Sequence, residues 1–325
     1  MPDVGDTVRL STAAPPIQWY PGHIAKAEKA LSANLEKVDL VIEVRDARIP
    51  LATGHPRLQR WIRGKQHLLV INRRDMVSPA ARLAWDGWFR QRGEVPWWCD
   101  AKVGTGVKQL QQAAIRAGET LNARRAGRGM KPRPVRALML GFPNVGKSAL
   151  INRLVRQKVV ESARRAGVTR SLRWVRLGQD LDLLDAPGVL PPRLDDQLAG
   201  LRLALCDDIG QASYDGEAVA QAFLRLLAQL EPVAAAGVAP GLLERRYGVT
   251  VPPLPGVDPE RPIPDAEAWL ATAAARHTSG DTARMAQRLL DDFRRSLLGP
   301  IALELPPPAP APHPPGPAPQ ESPPG

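Results

Sequence analysis

The segment GFPNVGKS, residues 141–148, most constrains what this chain can fold into. It matches the pattern GxxxxGK[ST], follows the apolar run VRALML and opens the helix-patterned segment SALINRLV. A strand before the glycines and a helix after them is the context in which this pattern binds phosphate. We therefore expect a phosphate-binding loop, called the P-loop below, near the middle of the chain.

The residues of the P-loop have distinct expected roles. Gly141 and Gly146 allow the backbone to approach phosphate oxygens, and the helix N-terminus faces the negative charge. Lys147 is expected to reach the β- and γ-phosphates, and the Ser148 hydroxyl to ligate Mg²⁺. The backbone N–H groups expected to line the phosphates belong to Asn144, Val145, Gly146, Lys147, Ser148 and Ala149.

Two segments after the P-loop extend the predicted site. Asp185 ends the apolar run LDLLD and begins DAPG, and an acidic residue at a strand end near a P-loop can hold Mg²⁺. The Gly188 N–H is expected to sense a γ-phosphate. Thr169, in AGVT, is expected to ligate Mg²⁺ only when the γ-phosphate is present. Each segment alone would be an ordinary turn, and their placement after the P-loop is what predicts a nucleotide switch.

A base-reading motif is predicted in Asn72–Asp75, called the base loop below. The Asp75 carboxylate can accept hydrogen bonds from the guanine N1–H and exocyclic amine, a donor pair that adenine lacks, and such pairing discriminates strongly. Asn72 is expected to tie loops together or to reach the base. GTPases usually have NKxD here, so Arg73 replaces lysine and is expected to stack on the ring.

The order of these motifs along the chain is unusual. Asp100, Ala101 and Lys102 follow the next apolar run, where GTPases have Ser-Ala-Lys, and the Ala101 N–H is expected at the guanine O6. Asp100 departs from that pattern. Both base motifs precede the P-loop, which comes first in ordinary GTPases. Cutting a sheet domain at a surface connection and joining its ends preserves the core, so we expect a circular permutation.

Hydrophobic periodicity predicts an α/β fold with a doubly wound, mostly parallel sheet. Near-continuous apolar runs, typical of strands buried on both faces, occur at 38–48, 67–75, 95–102, 135–144, 172–178 and 181–188. Helical patterns alternate with them at 24–38, 56–62, 79–91, 107–121 and from 147 onward. A small all-helical domain should follow, with helices at 195–208, 215–230, 264–277 and 281–298.

Four segments are expected. They are a flexible N-terminal extension (1–16), a permuted GTPase domain (17–192), a small helical domain (193–304) and a Pro-rich disordered tail (305–325). A basic linker at about 122–136 contains Arg and Lys but no acid, and is predicted to be flexible. It is either a solvated connector or a contact for RNA phosphates. The tail is either passive or a partner's binding segment.

Composition limits the class of protein. Lys and Arg number 44 against 33 Asp and Glu, a net charge of +11, which favours a polyanionic partner. Cys99 and Cys206 stand far apart, which argues against zinc and disulfide frameworks. No signal-peptide pattern occurs, and no apolar run approaches the ~20 residues of a membrane span. We expect a cytoplasmic protein without membrane contact.

Taken together, the motifs resemble the ribosome biogenesis GTPase A family, the YlqF/RbgA group of circularly permuted GTPases. The similar segments are WYPGHIAKA (19–27), VDLVIEVRDARIP (38–50), GFPNVGKS, AGVTR, DAPGV and LLDDFR (289–294). The resemblance covers about 17–304. It implies a GTPase that assists late assembly of the large ribosomal subunit, with the helical domain touching ribosomal RNA. We expect no DNA partner, and a monomer.

This chain lacks the side chain that usually orients the attacking water in GTPases. Many GTPases place glutamine after DxxG to orient water, whereas this chain has Val189. The family resemblance suggests His23 as the residue that positions water and Asn144 as a ligand of K⁺. Alternatively, His23 contacts backbone or RNA at a helix start.

Three functions fit the sequence. The first is a GTPase that is slow alone and stimulated by the pre-ribosomal particle. The second is a GTP-gated RNA-binding scaffold in which hydrolysis is incidental. The third, an ATP-using P-loop kinase, conflicts with a guanine-reading Asp75.

Overall fold

The computed structural model describes residues 17–18, 31–155, 173–188, 190–191, 194–254 and 264–308. His23, Thr169 and Val189 lie outside the described residues, so their expected roles stay predictions. The N-terminal helix predicted over 24–38 is described only from residue 31, and residues 31–35 are helical.

A six-stranded sheet forms the centre of the described chain, in the order β3-β2-β1-β4-β6-β5. Neighbouring strands are parallel, except that β5 at the edge runs antiparallel to β6. The strands are β1 Leu40–Asp46, β2 Gln66–Asn72, β3 Pro96–Trp98, β4 Val135–Gly141, β5 Arg173–Leu177 and β6 Leu181–Asp185. The predicted mostly parallel α/β sheet is confirmed.

Four strands end three or four residues earlier than the sequence predicts. β2, β3, β4 and β6 end at Asn72, Trp98, Gly141 and Asp185. The predicted strands extended into the motif residues, but the chain turns there; Arg73, for example, has a left-handed φ of 61°. The motifs therefore occupy loops beyond the strand ends rather than the strands themselves.

The helices of the described residues alternate with the first strands and then follow one another. Their bounds are α1 Leu58–Ile62, α2 Pro79–Gln91, α3 Val107–Ala126, α4 Lys147–Val155, α5 Gln197–Cys206, α6 Gly216–Leu230, α7 Leu242–Tyr247, α8 Ala266–His277 and α9 Thr282–Arg294. Hydrophobic periodicity predicts α2 with these bounds. It does not predict α7, which lies between two left-handed glycines and is too short for a clear period. None of the described helices is long and apolar enough to cross a membrane.

Aspartates begin four helices after β6. Asp196, Asp215, Asp265 and Asp281 each accept a hydrogen bond from a first-turn N–H of α5, α6, α8 or α9. An aspartate at this position satisfies a donor that has no partner within the helix. Local sequence therefore accounts for where these helices begin.

One continuous hydrophobic cluster joins the sheet to the later helices. It includes Ile42 and Met139 from the sheet and Phe223 and Leu289 from α6 and α9. The end of the described chain also returns to the first half, because the Glu304 carboxylate accepts a hydrogen bond from the Leu51 N–H at 2.7 Å. The predicted GTPase and helical domains thus share one core.

The basic linker differs from the flexible segment expected from its composition. α3 continues to Ala126, beyond its predicted end at 121. The Asn122 side chain then exchanges two hydrogen bonds with the Arg133 backbone, at 3.0 and 3.1 Å. Arg133 also makes a bidentate ion pair with Asp39 at 2.7 and 2.8 Å. These contacts fix both ends of the segment, and its two glycines lie in a turn directly after α3.

Candidate nucleotide-binding site

The motif residues meet at one edge of the sheet. Asp46 is paired in register with Asn72, Val44 with Gly141, and Met139 with Asp185, so four parallel strands end together. Ligands of open α/β sheets bind outside the carboxyl ends of the strands. The motifs before and after the P-loop therefore form one site in space.

Lys147 lies buried under the P-loop. Its Nζ donates to the carbonyl oxygens of Gly141 and Phe142 at 3.0 and 2.6 Å. Burial lowers the pKa of Lys147 to about 8, although the Asp185 and Asp208 carboxylates oppose that change. An incoming phosphate would supply the negative charge that restores the charged form of the lysine.

Two glycines allow other loops to approach the P-loop closely. A Cβ on Gly146, whose φ is +97°, would lie 2.2 Å from Asn72 Nδ2. A Cβ on Gly188 would lie 2.6 Å from the backbone nitrogen of Pro143. The structure thus brings DAPG against the P-loop, beside the region where a γ-phosphate would lie. Its expected role as a γ-phosphate sensor stays a prediction.

Asp185 and Ser148, the described residues predicted to bind Mg²⁺, have suitable donor atoms. Asp185 is buried at the end of β6, next to β4, and Ser148 lies in the first turn of α4. Carboxylate and hydroxyl oxygens are the ligand type that Mg²⁺ prefers. The chemistry and placement of these groups therefore fit the ion.

Asn72 connects three loops through its buried side chain. Its Nδ2 donates to the Val145 carbonyl at 2.8 Å, and its Oδ1 accepts from the Ala101 N–H at 3.2 Å. Both ends of the amide are therefore used. Of the two expected roles, these contacts correspond to tying the loops together.

Arg73 has contacts different from those expected. Its guanidinium pairs with Asp46 at 3.2 Å and donates to the Asn144 carbonyl at 2.6 Å. The side chain thus joins the base loop to the P-loop, and stacking on a base is not what holds it in place. Two acceptors on the same side of the loop explain this orientation.

Asp75 is exposed in the short 3₁₀ turn Arg74–Met76. Among the described residues its carboxylate has neither a hydrogen bond nor an ion pair. A carboxylate that is exposed next to the ordered loops can accept both donors of an incoming guanine. This geometry is compatible with the predicted base-reading role.

The Asp100 side chain stabilises a turn within the second base motif. Its Oδ1 accepts hydrogen bonds from the N–H groups of Lys102 and Val103 at 2.7 and 3.1 Å. Serine can form a similar turn more weakly, so aspartate is a reasonable replacement. Asp100 shapes the loop that carries Ala101 and Lys102. The Ala101 N–H is bonded to Asn72 here, and its contact with guanine O6 stays a prediction.

The carboxyl-terminal end of α5 also reaches the P-loop, a contact that no sequence pattern predicts. The Asn144 Nδ2 donates to the Asp207 carbonyl at 2.6 Å, and Arg48 donates to the Cys206 carbonyl at 3.0 Å. Arg294 of α9 donates to the Ala204 carbonyl at 2.8 Å. Side chains from three parts of the chain thus cap the last carbonyls of one helix. No local pattern links them.

Buried charges surround this helix end. Asp46 pairs with Arg48 at 2.7 Å, with both side chains fully buried. Despite the cost of burial, the nearby Arg48 and Arg73 hold the pKa of Asp46 below its usual value. Asp208 is also buried, and neither of its carboxylate oxygens has a hydrogen bond among the described residues. Burial, with the neighbouring Asp46, raises its pKa.

Comparison with known sequences matches this chain to ribosome-related GTPases. The family model described as "50S ribosome-binding GTPase" matches residues 136–228, which begin at β4 and leave out the base loop. Ribosome biogenesis GTPase A of Bacillus cereus is 37% identical over 216 residues, covering 66% of this chain and 73% of that protein. The Bacillus pumilus protein of the same name is 35% identical over 234 residues, covering 72% and 80%.

A solved structure supports the fold. GNP-bound YlqF from T. maritima superposes with a TM-score of 0.55 at 20% identity, covering 86% of this chain and 98% of that one. Because the match covers most of both chains, the two proteins share one fold.

Proposed function

Because this chain belongs to the ribosome biogenesis GTPase A family, we propose that it hydrolyses GTP while assisting assembly of the large ribosomal subunit. The observation that carries this is the convergence of both base motifs, the P-loop and DAPG at one sheet edge. Asn72 joins the base motifs to the P-loop, and Gly188 of DAPG lies against Pro143. The chain is a GTPase with a circularly permuted nucleotide domain. The kinase alternative is not favoured, because the matching family model and the relatives are GTPases.

The phosphate half of the site supplies charge and position. Lys147 and the backbone of the P-loop would hold the phosphates, with Ser148 and Asp185 on the Mg²⁺ that GTPases use with their nucleotide. The ion neutralises charge on the transferred phosphoryl group. Thr169 remains the predicted additional ligand. Lys147 must leave its two carbonyl acceptors or share them when phosphate binds.

Water activation requires a group other than Val189, whose side chain cannot form hydrogen bonds. His23 remains the predicted residue for this step. Asn144 is the predicted ligand of K⁺, and its contacts leave room for that role. Its Nδ2 is bonded to Asp207, whereas its Oδ1 has no hydrogen bond among the described residues. An amide oxygen is a suitable ligand for an alkali cation.

The partner is proposed to be the precursor of the large subunit, contacted through ribosomal RNA. The net charge of +11 supports a polyanion, since Lys and Arg contacts to phosphate supply salt-dependent affinity. The contact from Asn144 to the end of α5 supports a route by which nucleotide state reaches the helices. A monomer, a cytoplasmic location and the absence of a DNA partner stay predictions.

The test is the rate of GTP hydrolysis with and without large-subunit precursor particles, in K⁺ and in Na⁺. We expect the particles to raise the rate, and K⁺ to raise it further. Lys147→Ala should remove nucleotide binding, while Lys108→Ala, which replaces an exposed lysine of α3, should leave it intact. A rate that particles do not change would contradict the proposal. Assembly that continues in His23→Ala without stimulated hydrolysis would favour the scaffold alternative.

A further inference from the structure

The linker at residues 122–136, called the basic loop from here on, carries concentrated positive charge. It contains six Lys and Arg residues and no acid. Arg133 is paired with Asp39, but the other five have no ion pair with a described residue. The exposed cations are Arg124, Arg128, Lys131 and Arg136. Their charge is therefore available to a partner.

The basic loop is held in one shape. The Arg125 Nε donates to the Lys131 carbonyl at 3.1 Å, and the Met130 N–H donates to the Arg125 carbonyl at 3.0 Å. Contacts of Asn122 and Asp39 with Arg133 fix the return of the chain to β4. A preorganised loop loses less conformational entropy when it binds than a flexible one does.

The basic loop lies at the opposite edge of the sheet from the nucleotide. It joins the end of α3 to the first residue of β4, whereas the P-loop follows the last residue of β4. The seven residues of β4 separate the two edges by roughly 20 Å. A ligand on the basic loop therefore leaves the nucleotide site accessible.

An exposed aromatic ring continues this surface onto the edge strand β5. Trp174 is 41% exposed, and the guanidinium carbon of Arg136 lies 5.9 Å from the centre of its ring. Arg136, Asp182 and Arg176 are aligned across β4, β6 and β5. Asp182 offsets part of the Arg176 charge at 3.4 Å. Trp174 and Arg176 are two residues apart and therefore face the same side of the sheet.

This combination fits RNA better than a lipid surface. Unpaired bases stack on exposed aromatic rings while cations follow the phosphates. A membrane-binding face would need several exposed apolar side chains. Of the large exposed hydrophobic residues in the described part of the chain, only Met130 and Trp174 belong to this surface.

We propose that the basic loop and the exposed side of β5 form an RNA-binding surface separate from the helical region, with Trp174 against an unpaired base. The proposal rests on the proposed function, in which RNA is the partner. The cations of the basic loop contact phosphates, and Arg136 joins them to the stacking site. The phosphate-binding cations of the basic loop then lie at the opposite edge of the sheet from GTP, and the stacking site lies on the outermost strand β5, where Trp174 is level with Leu184 of β6.

The test uses the full chain with GDP and a fluorescent single-stranded RNA of about 20 nucleotides, titrated at several KCl concentrations. Arg124→Gln, Arg128→Gln and Lys131→Gln combined should reduce the slope of log K against log[KCl] by about 2, at ~0.7 per phosphate contact. The control combines Arg90→Gln, Lys108→Gln and Arg116→Gln, which remove the same charge from exposed positions elsewhere. Equal slopes for the two triple variants would overturn the proposal.

Trp174→Ala separates stacking from charge. It should weaken binding to single-stranded RNA about fivefold to a hundredfold and leave the salt slope unchanged. Binding to an RNA duplex of equal length should change little, since its bases are already stacked. Equal loss for single strand and duplex would refute the stacking role.

Two further measurements distinguish RNA binding from membrane binding, and the RNA surface from the proposed function. Vesicles containing phosphatidylserine should bind the triple variant of the basic loop and the control triple variant equally, and loss of vesicle binding without loss of RNA binding would assign the surface to membranes instead. Both triple variants should retain GDP affinity and basal hydrolysis. If the triple variant of the basic loop binds RNA like its control while particles still stimulate hydrolysis by the wild type, only the RNA surface is refuted. If the triple variant loses RNA binding as expected while particles do not stimulate hydrolysis by the wild type, only the proposed function is refuted.

Discussion

Replacing Asn72 tests whether loops from distant parts of the chain form one nucleotide site. Asn72→Ala removes the hydrogen bonds to Val145 and from Ala101. Two bonds at ~1 kcal/mol each, with an added penalty for the unsatisfied groups, predict a loss of about 2–4 kcal/mol in unfolding free energy.

The same change should weaken nucleotide binding without touching the ligand. Val145 and Ala101 lose their shared anchor, so binding must order two backbone positions at ~1 kcal/mol or more each. About 2 kcal/mol corresponds to a dissociation constant for GDP roughly thirtyfold higher. A fluorescent GDP analogue measures the affinity, and urea denaturation measures the stability.

Asn122→Ala is the matched control. Asn122 also uses both ends of its amide, with the Arg133 backbone, but at the opposite edge of the sheet. It should lower the unfolding free energy by about 1–2 kcal/mol, since this amide is partly exposed, and leave GDP affinity unchanged. If Asn72→Ala also bound GDP as tightly as the wild type, the loops would not be coupled through Asn72.

Three more changes follow from the site. Gly146→Ala places a Cβ 2.2 Å from Asn72 Nδ2 at a φ of +97°, so GDP affinity measured by titration should fall more than tenfold, and unchanged affinity would refute the close approach. Burial lowers the pKa of Lys147 to about 8 in the folded chain, whereas its ordinary value is 10.5. Between pH 8 and 10.5 the unfolded chain therefore holds more protons, and the free energy of unfolding should rise with pH. Phosphate favours the charged lysine, so calorimetry at pH 8.5 in two buffers should detect uptake of up to about three quarters of a proton on GDP binding, and no uptake would contradict the lowered pKa. Asp46→Asn leaves Arg48 without its buried partner and should cost about 3–5 kcal/mol in urea denaturation, whereas a loss under 1 kcal/mol would show that the pair is unimportant.

The sequence predicts most of the sheet because its signals are local. Apolar runs locate the strands, and Ser78 before Pro79 marks the start of α2, where the Ser78 hydroxyl accepts from the Ala81 N–H. The P-loop follows from residues within one segment. Strand ends are less well predicted, because contacts with distant segments, such as those of Arg73, hold the turns that follow the strands.

The contacts between distant segments could not be predicted in the same way. Arg73 is suited to stacking by its chemistry, but Asp46 on β1 and the Asn144 carbonyl hold it elsewhere. The cap from Asn144 to Asp207 joins residues that are distant in sequence. The basic loop has the composition of a flexible linker, and an ion pair with Asp39 orders it.

The central claim is that the motifs before and after the P-loop form one guanine site. The most direct measurement compares the affinities of GDP, XDP and ADP for the wild-type chain and for Asp75→Asn. The wild type should prefer GDP strongly, and Asp75→Asn should lose GDP affinity and gain XDP affinity, because xanthine replaces the amine donor with a carbonyl acceptor. Equal binding of ADP and GDP by the wild type, or an Asp75→Asn chain that still prefers GDP over XDP, would contradict the account.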